Sequence, residues 1–221
     1  MTERLYLTSD TLTAEAQVVR VERGERTRVM LDRTVFHPRG GGQPGDQGRL
    51  SKDGGGDVSV LDTVQTESGE IEHIVDDARD LAPGDRVRLS VDAERRRLNA
   101  RMHSAGHLIA YAGETVDPSL KGVRGHHWPG EARVDFDGEP ADPEAFARAL
   151  EKTLAEFVAG NLAFEAVPGA DGRRTITIGG SAATGCGGTH VAAAGDIGRI
   201  VLRKVKAKGG ALRVSYDLAD A

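Results

Sequence analysis

The sequence predicts an α+β protein of two domains, a small β-barrel-like domain over residues 1–91 and an α+β domain over residues 92–221. Its 221 residues are enough for two domains that each bury a hydrophobic core. Up to about residue 92 the pattern is that of short strands between turns, and many short strands without a helical period favour a small barrel. After Asp92 the period becomes helical and then alternates with strands, which is typical of helices packed on an antiparallel sheet.

The first domain contains short runs of apolar and β-branched residues bounded by Gly, Pro and Asp. These runs predict strands over residues 16–22, 27–36, 58–64, 70–75 and 86–91. A glycine-rich stretch from Gly40 to Gly48 follows the second of these strands. Consecutive glycines are expected where φ is positive or where another group approaches the main chain, although composition alone favours a hairpin turn. No Lys-Ser or Lys-Thr pair follows, which excludes a phosphate-binding P-loop.

Two helices are predicted in the second domain. The first begins after the N-cap residue Asp92 and runs to about Ala112. One apolar stripe of this helix consists of Leu98, Met102, Ala105 and Ile109. The second begins with Asp142 as N-cap and a proline at N1, and ends near Gly160. Its predicted buried side consists of Phe146, Leu150, Leu154 and Phe157.

The remaining part of the second domain is predicted to be strands and loops. Residues 111–138 are expected to be irregular apart from a strand over residues 132–136. Further strands are predicted over residues 164–167 and 175–179, before the only cysteine of the chain. A basic hairpin then runs from residue 197 to residue 216 and turns at two consecutive glycines.

Four side chains of the second domain form a candidate metal site: His103, His107, Cys186 and His190. Two histidines four residues apart on a helix have Cβ atoms about 5–6 Å apart, so they can bind one metal ion. At about 100° per residue both point away from the apolar stripe, and the glycine-dense segment with Cys186 and His190 is the natural candidate to cover them. Imidazole nitrogens beside a thiolate favour zinc over magnesium or calcium.

Each half of this set has a simpler interpretation when it is taken alone. A helical His-x-x-x-His is commonly surface or capping histidine, and a single cysteine is commonly a small buried hydrophobe. The combination of the two halves favours zinc. A metalloprotease is excluded, because Ser104 stands where such enzymes have their catalytic glutamate.

Three motifs resemble those of one family. Residues 101–108 (RMHSAGHL) and 185–191 (GCGGTHV) resemble the zinc-binding motifs of the alanyl- and threonyl-tRNA synthetase editing domains. Residues 36–48 (FHPRGGGQPGDQG) resemble the glycine-rich motif of the alanyl branch. The whole chain is therefore similar to AlaX, the free-standing alanyl-tRNA editing proteins, in the medium-length form without the long C-terminal extension.

This resemblance implies a translation-barrel-like first domain and a second domain of the second-additional-domain type found in threonyl- and alanyl-tRNA synthetases. It implies that the four candidate ligands hold Zn²⁺ and that the glycine-rich loop borders the amino-acid pocket. The expected substrate contacts are Gly40, Gly41, Gly42, Gln43 and Thr189, the last a candidate for binding the serine hydroxyl. The family usually has Gln and Ser where this chain has Leu120 and Val123. Nearby side chains that could substitute for them are His126, His127 and Trp128, although composition alone favours surface histidines.

The expected reaction is hydrolysis of an aminoacyl ester, which demands less of a catalyst than a peptide bond. A pocket built for alanine rejects an added hydroxyl only about 100-fold and cannot exclude glycine, so correction requires a second site. We therefore expect an aminoacyl-tRNA hydrolase that deacylates seryl-tRNA(Ala), with glycyl-tRNA(Ala) as a second substrate. The alternative is a non-catalytic zinc-dependent tRNA-binding protein. Deacylation of a threonyl-tRNA synthetase product is disfavoured by the motif over residues 40–48.

Four protein ligands leave zinc no open position for water. Either substrate displaces one ligand, or the ion positions the tRNA terminus and water is activated elsewhere.

Charge and composition favour a cytoplasmic protein that binds tRNA through a local patch. The formal net charge of −5 argues against a general nucleic-acid coat. The residues expected to contact tRNA phosphates are Arg203, Lys204, Lys206 and Lys208, and a solvated charged face is the alternative. No run approaches the roughly 18 apolar residues of a membrane helix, and the N-terminus has no secretory pattern. A single cysteine cannot form an internal disulfide, and a zinc thiolate suits a reducing compartment.

Overall fold

The computed structural model describes residues 2–52, 54–168 and 174–220. By their internal contacts the residues form two compact units. The first comprises the chain up to Gly40 together with Pro44–Arg97, and the second comprises Gly41–Gln43 together with the chain from Leu98 onward. The segment Gly41–Gln43 thus belongs by its contacts to the second unit, although its sequence neighbours belong to the first. The predicted domain boundary between residues 91 and 92 stays a prediction.

The first unit contains a closed β-barrel. Its strands are β1 (Glu3–Arg4), β2 (Thr13–Glu22), β3 (Thr27–Leu31), β4 (Arg33–Thr34), β5 (Gly48–Lys52), β6 (Asp57–Gln65), β7 (Ile71–Val75) and β8 (Arg86–Val91), with a short 3-10 helix at Leu5–Leu7. Six of them close in the order β2-β3-β7-β6-β5-β8, and β1 pairs in parallel with β4 outside that ring. The predicted barrel is confirmed. Closure pairs the strand edges that an open sheet would expose.

The barrel wall follows the alternation that predicted it. In β8 the apolar residues Val87, Leu89 and Val91 are buried, whereas the polar residues between them are exposed. The predicted strand over residues 27–36 is interrupted after Leu31, because the chain leaves the barrel there and Arg33–Thr34 pair with β1 instead. Strand β5 was not predicted, since it contains one buried apolar residue, Leu50, and is defined by its pairing with β6 and β8.

The second unit combines two helices with two antiparallel sheets. Its elements are α1 (Ala93–Val116, which begins in the first unit), β9 (Lys121–His126), β10 (Arg133–Asp137), α2 (Pro143–Ala159), β11 (Phe164–Pro168), β12 (Arg174–Ile178), β13 (Thr184–Gly185), β14 (Ile200–Ala207) and β15 (Ala211–Leu218). A short 3-10 helix lies at Ala194–Ile197. The strand order is β14-β15-β10-β9 in one sheet and β11-β12-β13 in the other.

Both helices begin at the predicted caps. Asp92 Oδ1 accepts a hydrogen bond from Arg95 N at 3.0 Å, and Asp142 Oδ1 accepts bonds from Glu144 N and Ala145 N at 2.9 Å each. The bond from Ala145 is the main reason that the pKa of Asp142 lies below its ordinary value, as expected for a carboxylate at a helix N-terminus. In the described parts of the chain, neither helix is long and apolar enough to cross a membrane.

The apolar faces of the two helices meet in one hydrophobic core. The predicted stripe of α1 is confirmed, with Met102, Ala105 and Ile109 fully buried and Leu98 packed against the core. The predicted buried side of α2 is confirmed in the same way, with Phe157 partly buried. The sheet contributes Val134, Phe136 and Tyr216 to this core.

The prediction of irregular structure was wrong for residues 111–116 and 121–126, whereas the strand predicted over residues 132–136 is confirmed as β10. Helix α1 continues about one turn beyond Ala112, and residues 121–126 form β9. The sequence of β9, KGVRGH, contains one aliphatic residue and two glycines, so its hydrophobic pattern is not that of a strand. It forms because β10 pairs with it from Lys121↔Asp137 to His126↔Arg133.

Candidate metal centre

The structure brings the four predicted metal ligands together in the second unit. The candidate ligand atoms of His103, His107, Cys186 and His190 all lie within 4.8 Å of one another. Cys186 Sγ is 3.3 Å from the Nε2 atoms of His103 and His107, and 3.4 Å from Nε2 of His190. A tetrahedral zinc ion with ordinary Zn–N and Zn–S lengths separates nitrogen from sulfur by about 3.5 Å. The spacing and chemistry of the donors therefore suit one metal ion, and this group could hold it.

Helix α1 presents two of these ligands on adjacent turns. The rings of His103 and His107 are parallel, with an interplanar angle of 1° and centroids 5.0 Å apart. The core-facing residues of α1 lie on another side of the helix, so the two imidazoles are directed away from the apolar core, as the periodicity predicts.

The loop after β13 closes over these histidines because it is made of small residues. A methyl group on Gly188 would overlap Cε1 and Nδ1 of His103, whereas one on Gly187 would meet nothing within 4 Å. The backbone N–H of Gly188 also donates a hydrogen bond to Cys186 Sγ, with nitrogen and sulfur 3.4 Å apart. Only glycine at residue 188 lets the main chain lie against the His103 ring.

Gln43 connects the glycine-rich segment to both halves of the cluster. Its Oε1 accepts hydrogen bonds from His103 Nδ1 at 2.8 Å and from Thr189 N at 3.0 Å, and its Nε2 donates to Thr189 Oγ1 at 2.9 Å. A proton on His103 Nδ1 leaves the lone pair on Nε2, which faces Cys186. This is the outer hydrogen bond that metal-binding histidines usually make.

Arg174 on β12 lies beside the fourth candidate ligand, His190. Its guanidinium donates to the carbonyl of Gly188 and lies 2.9 Å from His190 Nδ1. Because a guanidinium only donates, His190 accepts this bond through Nδ1. A metal bound to Nε2 of His190 requires the other tautomer, in which Nδ1 carries the proton and no longer accepts from Arg174. Arg174 would then keep its hydrogen bond to the carbonyl of Gly188.

Burial sets the ionisation of the cluster. It lowers the pKa of His107 to about 4, and the charge of Arg174 acts in the same direction. Burial also raises the pKa of the Cys186 thiol, partly offset by the N–H of Gly188 and by Arg174. A neutral imidazole is the form that binds metals, while the thiol must lose its proton, which a bound cation would promote.

A cavity of about 290 Å³ adjoins the cluster, close to the lower end of the range for small-ligand sites. Among the described residues, its walls include Gly41 but not the other predicted pocket residues, Gly40, Gly42, Gln43 and Thr189. Gly41 and Gly42 have φ values of 56° and 78°, which explains the glycines that the sequence shows there. Gln43 and Thr189 are buried beside His103, and Gly40 is exposed.

The sequence did not identify several other residues that line this cavity, or left their roles undecided. Arg124 and Thr184 contribute to its walls, and no sequence signal distinguishes them from ordinary surface residues. His127 also lines the cavity and is buried, in contrast to the surface histidine that composition alone favours. Leu120 is fully buried in the hydrophobic core, whereas Val123 is 63% exposed beside the cavity.

Comparison with known proteins places this chain in a family. The model for class II (A) tRNA synthetases matches residues 7–95. The chain is 32% identical to "Alanyl-tRNA editing protein AlaX-M" of Saccharolobus solfataricus, and the match covers 99% of both chains. The chain belongs to the AlaX-type family of alanyl-tRNA editing proteins. The corresponding protein of Methanosarcina mazei is 31% identical over 98% of this chain and 96% of its own.

The synthetases themselves are related to this chain through one part of their length. The alanine–tRNA ligase of Methanothrix thermoacetophila is 33% identical over 87% of this chain, which spans only 23% of that protein. The AlaX-type membership therefore rests on the relatives that match from end to end.

The predicted tRNA contacts lie on the hairpin of β14 and β15. Arg203, Lys204, Lys206 and Lys208 are all exposed. Arg203 forms an ion pair with Asp217 at 2.7 Å, and Lys206 lies opposite Arg213 in the β14–β15 register. Arg213 in turn donates two hydrogen bonds to Asp135, at 2.6 and 3.1 Å. The role of this basic strand in binding tRNA stays a prediction.

Proposed function

We propose that this protein is a trans-editing hydrolase that deacylates seryl-tRNA(Ala), with glycyl-tRNA(Ala) as a second substrate. The observation that carries the proposal is a His₃Cys cluster beside a cavity of amino-acid size, in a chain of the AlaX-type editing family. Relatives named as alanyl-tRNA editing proteins support tRNA as the partner.

We further propose zinc as the metal, held by His103, His107, Cys186 and His190. Three imidazole nitrogens and one thiolate match the donor types and the coordination number of zinc. When bound, zinc would supply a positive charge that polarises the ester carbonyl or orients the tRNA terminus.

Substrate binding and stabilisation of the oxyanion are assigned to groups of the polypeptide chain. We propose that the main chain of Gly40 to Gly42 borders the aminoacyl group together with Gln43, and that backbone N–H groups of the glycine-dense walls stabilise the developing oxyanion. Thr189 Oγ1 accepts a bond from Gln43 and keeps a hydroxyl proton to donate, which is the basis for its proposed contact with substrate.

The wider assignments are proposals of the same kind. They are a translation-type barrel over residues 1–91, an editing domain of the second-additional-domain type over residues 92–221, and a cytoplasmic location.

The hydrolase is tested by incubating the purified protein with labelled seryl-, glycyl- and alanyl-tRNA(Ala). We expect loss of the seryl and glycyl esters. Alanyl-tRNA should stay intact, because the methyl group of alanine would take the place of the serine hydroxyl without bonding its polar partners, whereas the space beside glycine admits water. Tight binding of tRNA without release of any amino acid would instead identify a non-catalytic tRNA-binding protein.

The metal is tested by elemental analysis of protein expressed in zinc-replete medium. We expect about one zinc per chain in the wild type and little in Cys186→Ala, because the thiolate is the one anionic ligand of the set. His126→Ala, a nearby histidine outside the cluster, is the matched control and should retain the metal. A wild type without zinc, or a Cys186→Ala variant with as much metal as the wild type, contradicts the proposal.

A further inference from the structure

His127, immediately after β9, occupies a slot made by glycines. Only 4% of the residue is exposed. A methyl group on Gly106 of α1 would overlap Cε1 and Nδ1 of its ring, and one on Gly125 would overlap Cε1 and Nε2. Its backbone N–H donates to the carbonyl of Gly42 at 2.9 Å. Three separate segments thus leave room for this imidazole and hold it in place.

A chain of two hydrogen bonds defines which nitrogen of His127 carries the proton. His127 Nδ1 is 2.7 Å from the Tyr216 hydroxyl oxygen, which is 2.8 Å from the carbonyl oxygen of Met102. A carbonyl only accepts, so Tyr216 donates its proton to Met102 and accepts one from His127 Nδ1. A neutral imidazole has one N–H, and therefore Nε2 carries the lone pair.

The surroundings keep the tyrosine of this chain neutral. Burial raises the pKa of Tyr216 well above its ordinary value, and Asp217 adds to this effect. Tyr216 therefore keeps the proton that it donates to Met102, and the hydrogen bond from His127 Nδ1 leaves Nε2 as the acceptor of the neutral ring.

This acceptor lies where an editing site needs one. His127 lines the cavity beside the cluster, and its ring stacks on that of His103 with centroids 4.5 Å apart. Among the described residues, no hydrogen-bond partner lies on its Nε2. The two positions at which the family usually has polar residues are apolar here, since Leu120 is in the core and Val123 has no hydrogen-bonding side chain. A serine hydroxyl in this cavity needs an acceptor from elsewhere.

We propose that His127 Nε2 accepts a hydrogen bond from the hydroxyl of the seryl group and so determines specificity for serine, while Tyr216 holds the ring in the required tautomer. This inference rests on the proposed hydrolase function and adds the acceptor of the hydroxyl proton, a role distinct from the bond that Thr189 is proposed to donate. The α-amino group is the other donor of the substrate, but it is common to seryl, glycyl and alanyl esters. Among the possible hydrogen bonds, only one with the hydroxyl distinguishes serine.

The decisive variant is His127→Asn, because the asparagine amide can still donate to Tyr216 while the Nε2 acceptor is removed. We expect kcat/KM for seryl-tRNA(Ala) to fall about 5- to 150-fold, the range for a buried hydroxyl that loses its partner. The value for glycyl-tRNA(Ala) should change less than about twofold, since glycine has no hydroxyl to lose. Tyr216→Phe should lower the seryl value by a smaller factor, because the ring can then adopt the other tautomer.

A measurement independent of activity tests the same assignment. The ¹⁵N spectrum of histidine-labelled protein should show His127 protonated on Nδ1 and not on Nε2, and Tyr216→Phe should increase the Nε2–H form. Zinc content and thermal unfolding of each variant show whether the stacked His103 has been disturbed. A wild type with Nε2 protonated overturns the inference whatever the kinetics.

The kinetic outcomes distinguish a failure of this inference from a failure of the proposed function. If the wild type hydrolyses neither ester, the proposed function is wrong and the role of His127 falls with it. If the wild type hydrolyses both and His127→Asn lowers both equally, or lowers neither, only the role of His127 is wrong.

Discussion

Gln43 illustrates how a single residue can support the candidate metal centre without being one of its four candidate ligands. It was predicted to border the amino acid, and the structure shows its carboxamide bonded to His103 on α1 and to Thr189 on the loop after β13. These two partners lie 60 and 146 residues away in the sequence. Gln43 therefore links the two halves of the cluster.

Gln43→Leu should weaken metal binding while leaving all four candidate ligands in place. The change leaves His103 Nδ1 and the N–H of Thr189 without their acceptor, and loss of such an outer partner typically costs 10- to 100-fold in metal affinity. Competition with a zinc chelator measures the effect. Gln47→Leu is the control, because this nearby glutamine bonds Leu61 O in the first unit. Equal affinity in the two variants would show that Gln43 does not support the ligand.

At the scale of elements, the loop after β13 works because its two adjacent glycines have different surroundings. Gly188→Ala should displace His103 and lower zinc affinity by at least about 10-fold, since the new methyl group would overlap the ring and the main chain on both sides is held by hydrogen bonds. Gly187→Ala should bind zinc as the wild type does, because nothing lies within 4 Å of its added methyl group. A metal titration of both variants makes the comparison, and similar losses would contradict the proposed geometry.

The basic strand β14, with Lys208 directly after it, is the segment in which a tRNA contact can be tested. Replacing Lys204, Lys206 and Lys208 by glutamine should weaken tRNA binding and reduce its dependence on salt, because fewer counterions are released. The slope of log affinity against log salt should fall by about 2 to 3, at roughly 0.7 to 0.9 per lost phosphate contact. Filter binding at several salt concentrations measures both quantities.

The control for this experiment is the exposed pair Arg148 and Lys152 on α2, changed to glutamine. It removes positive charge from another face of the second unit. If both sets of changes alter the slope to the same extent per charge, β14 is an ordinary solvated face and net charge explains the effect.

At the scale of the whole molecule, the first unit contains a buried histidine that makes stability depend on pH. His73 Nδ1 donates to Val29 O at 3.0 Å, and Nε2 accepts from Thr34 Oγ1 at 2.8 Å. Burial lowers its pKa from 6.5 to about 4, although the bond to Val29 acts in the opposite direction. The unfolded chain therefore binds a proton more readily than the folded one between these two pH values.

The sign of the effect follows from that difference. The stabilisation due to neutral His73 is complete above pH 6.5 and is lost as the pH falls toward 4, by about 3 kcal/mol in total at about 1.4 kcal/mol per pH unit. Urea unfolding across this range should show that the free energy of unfolding falls by about 3 kcal/mol less in His73→Asn than in the wild type, because asparagine has no titrating ring. Other histidines titrate in both proteins and cancel. Parallel pH profiles for the two proteins would show that His73 does not cause the loss.

Features that depend on neighbouring residues could be predicted from the amino-acid sequence alone. Helix starts follow from Asp92 and Asp142, whose side chains cap the N–H groups two or three residues away. The apolar stripe of α1 and the alternation of β8 come directly from helical and strand periods. The four candidate ligands were recognised as two locally spaced pairs together with a family resemblance, and the structure brings these pairs together.

Features that depend on distant partners could not be predicted and are seen in the folded chain. Strand β9 exists through pairing with β10, because its own glycine-rich sequence has no strand pattern. The acceptor role of His127 depends on Tyr216, 89 residues away, and its burial depends on the absence of a side chain at Gly106. Local propensity carries no information about such contacts, since hydrogen bonds and close packing between remote segments form only when the chain has folded.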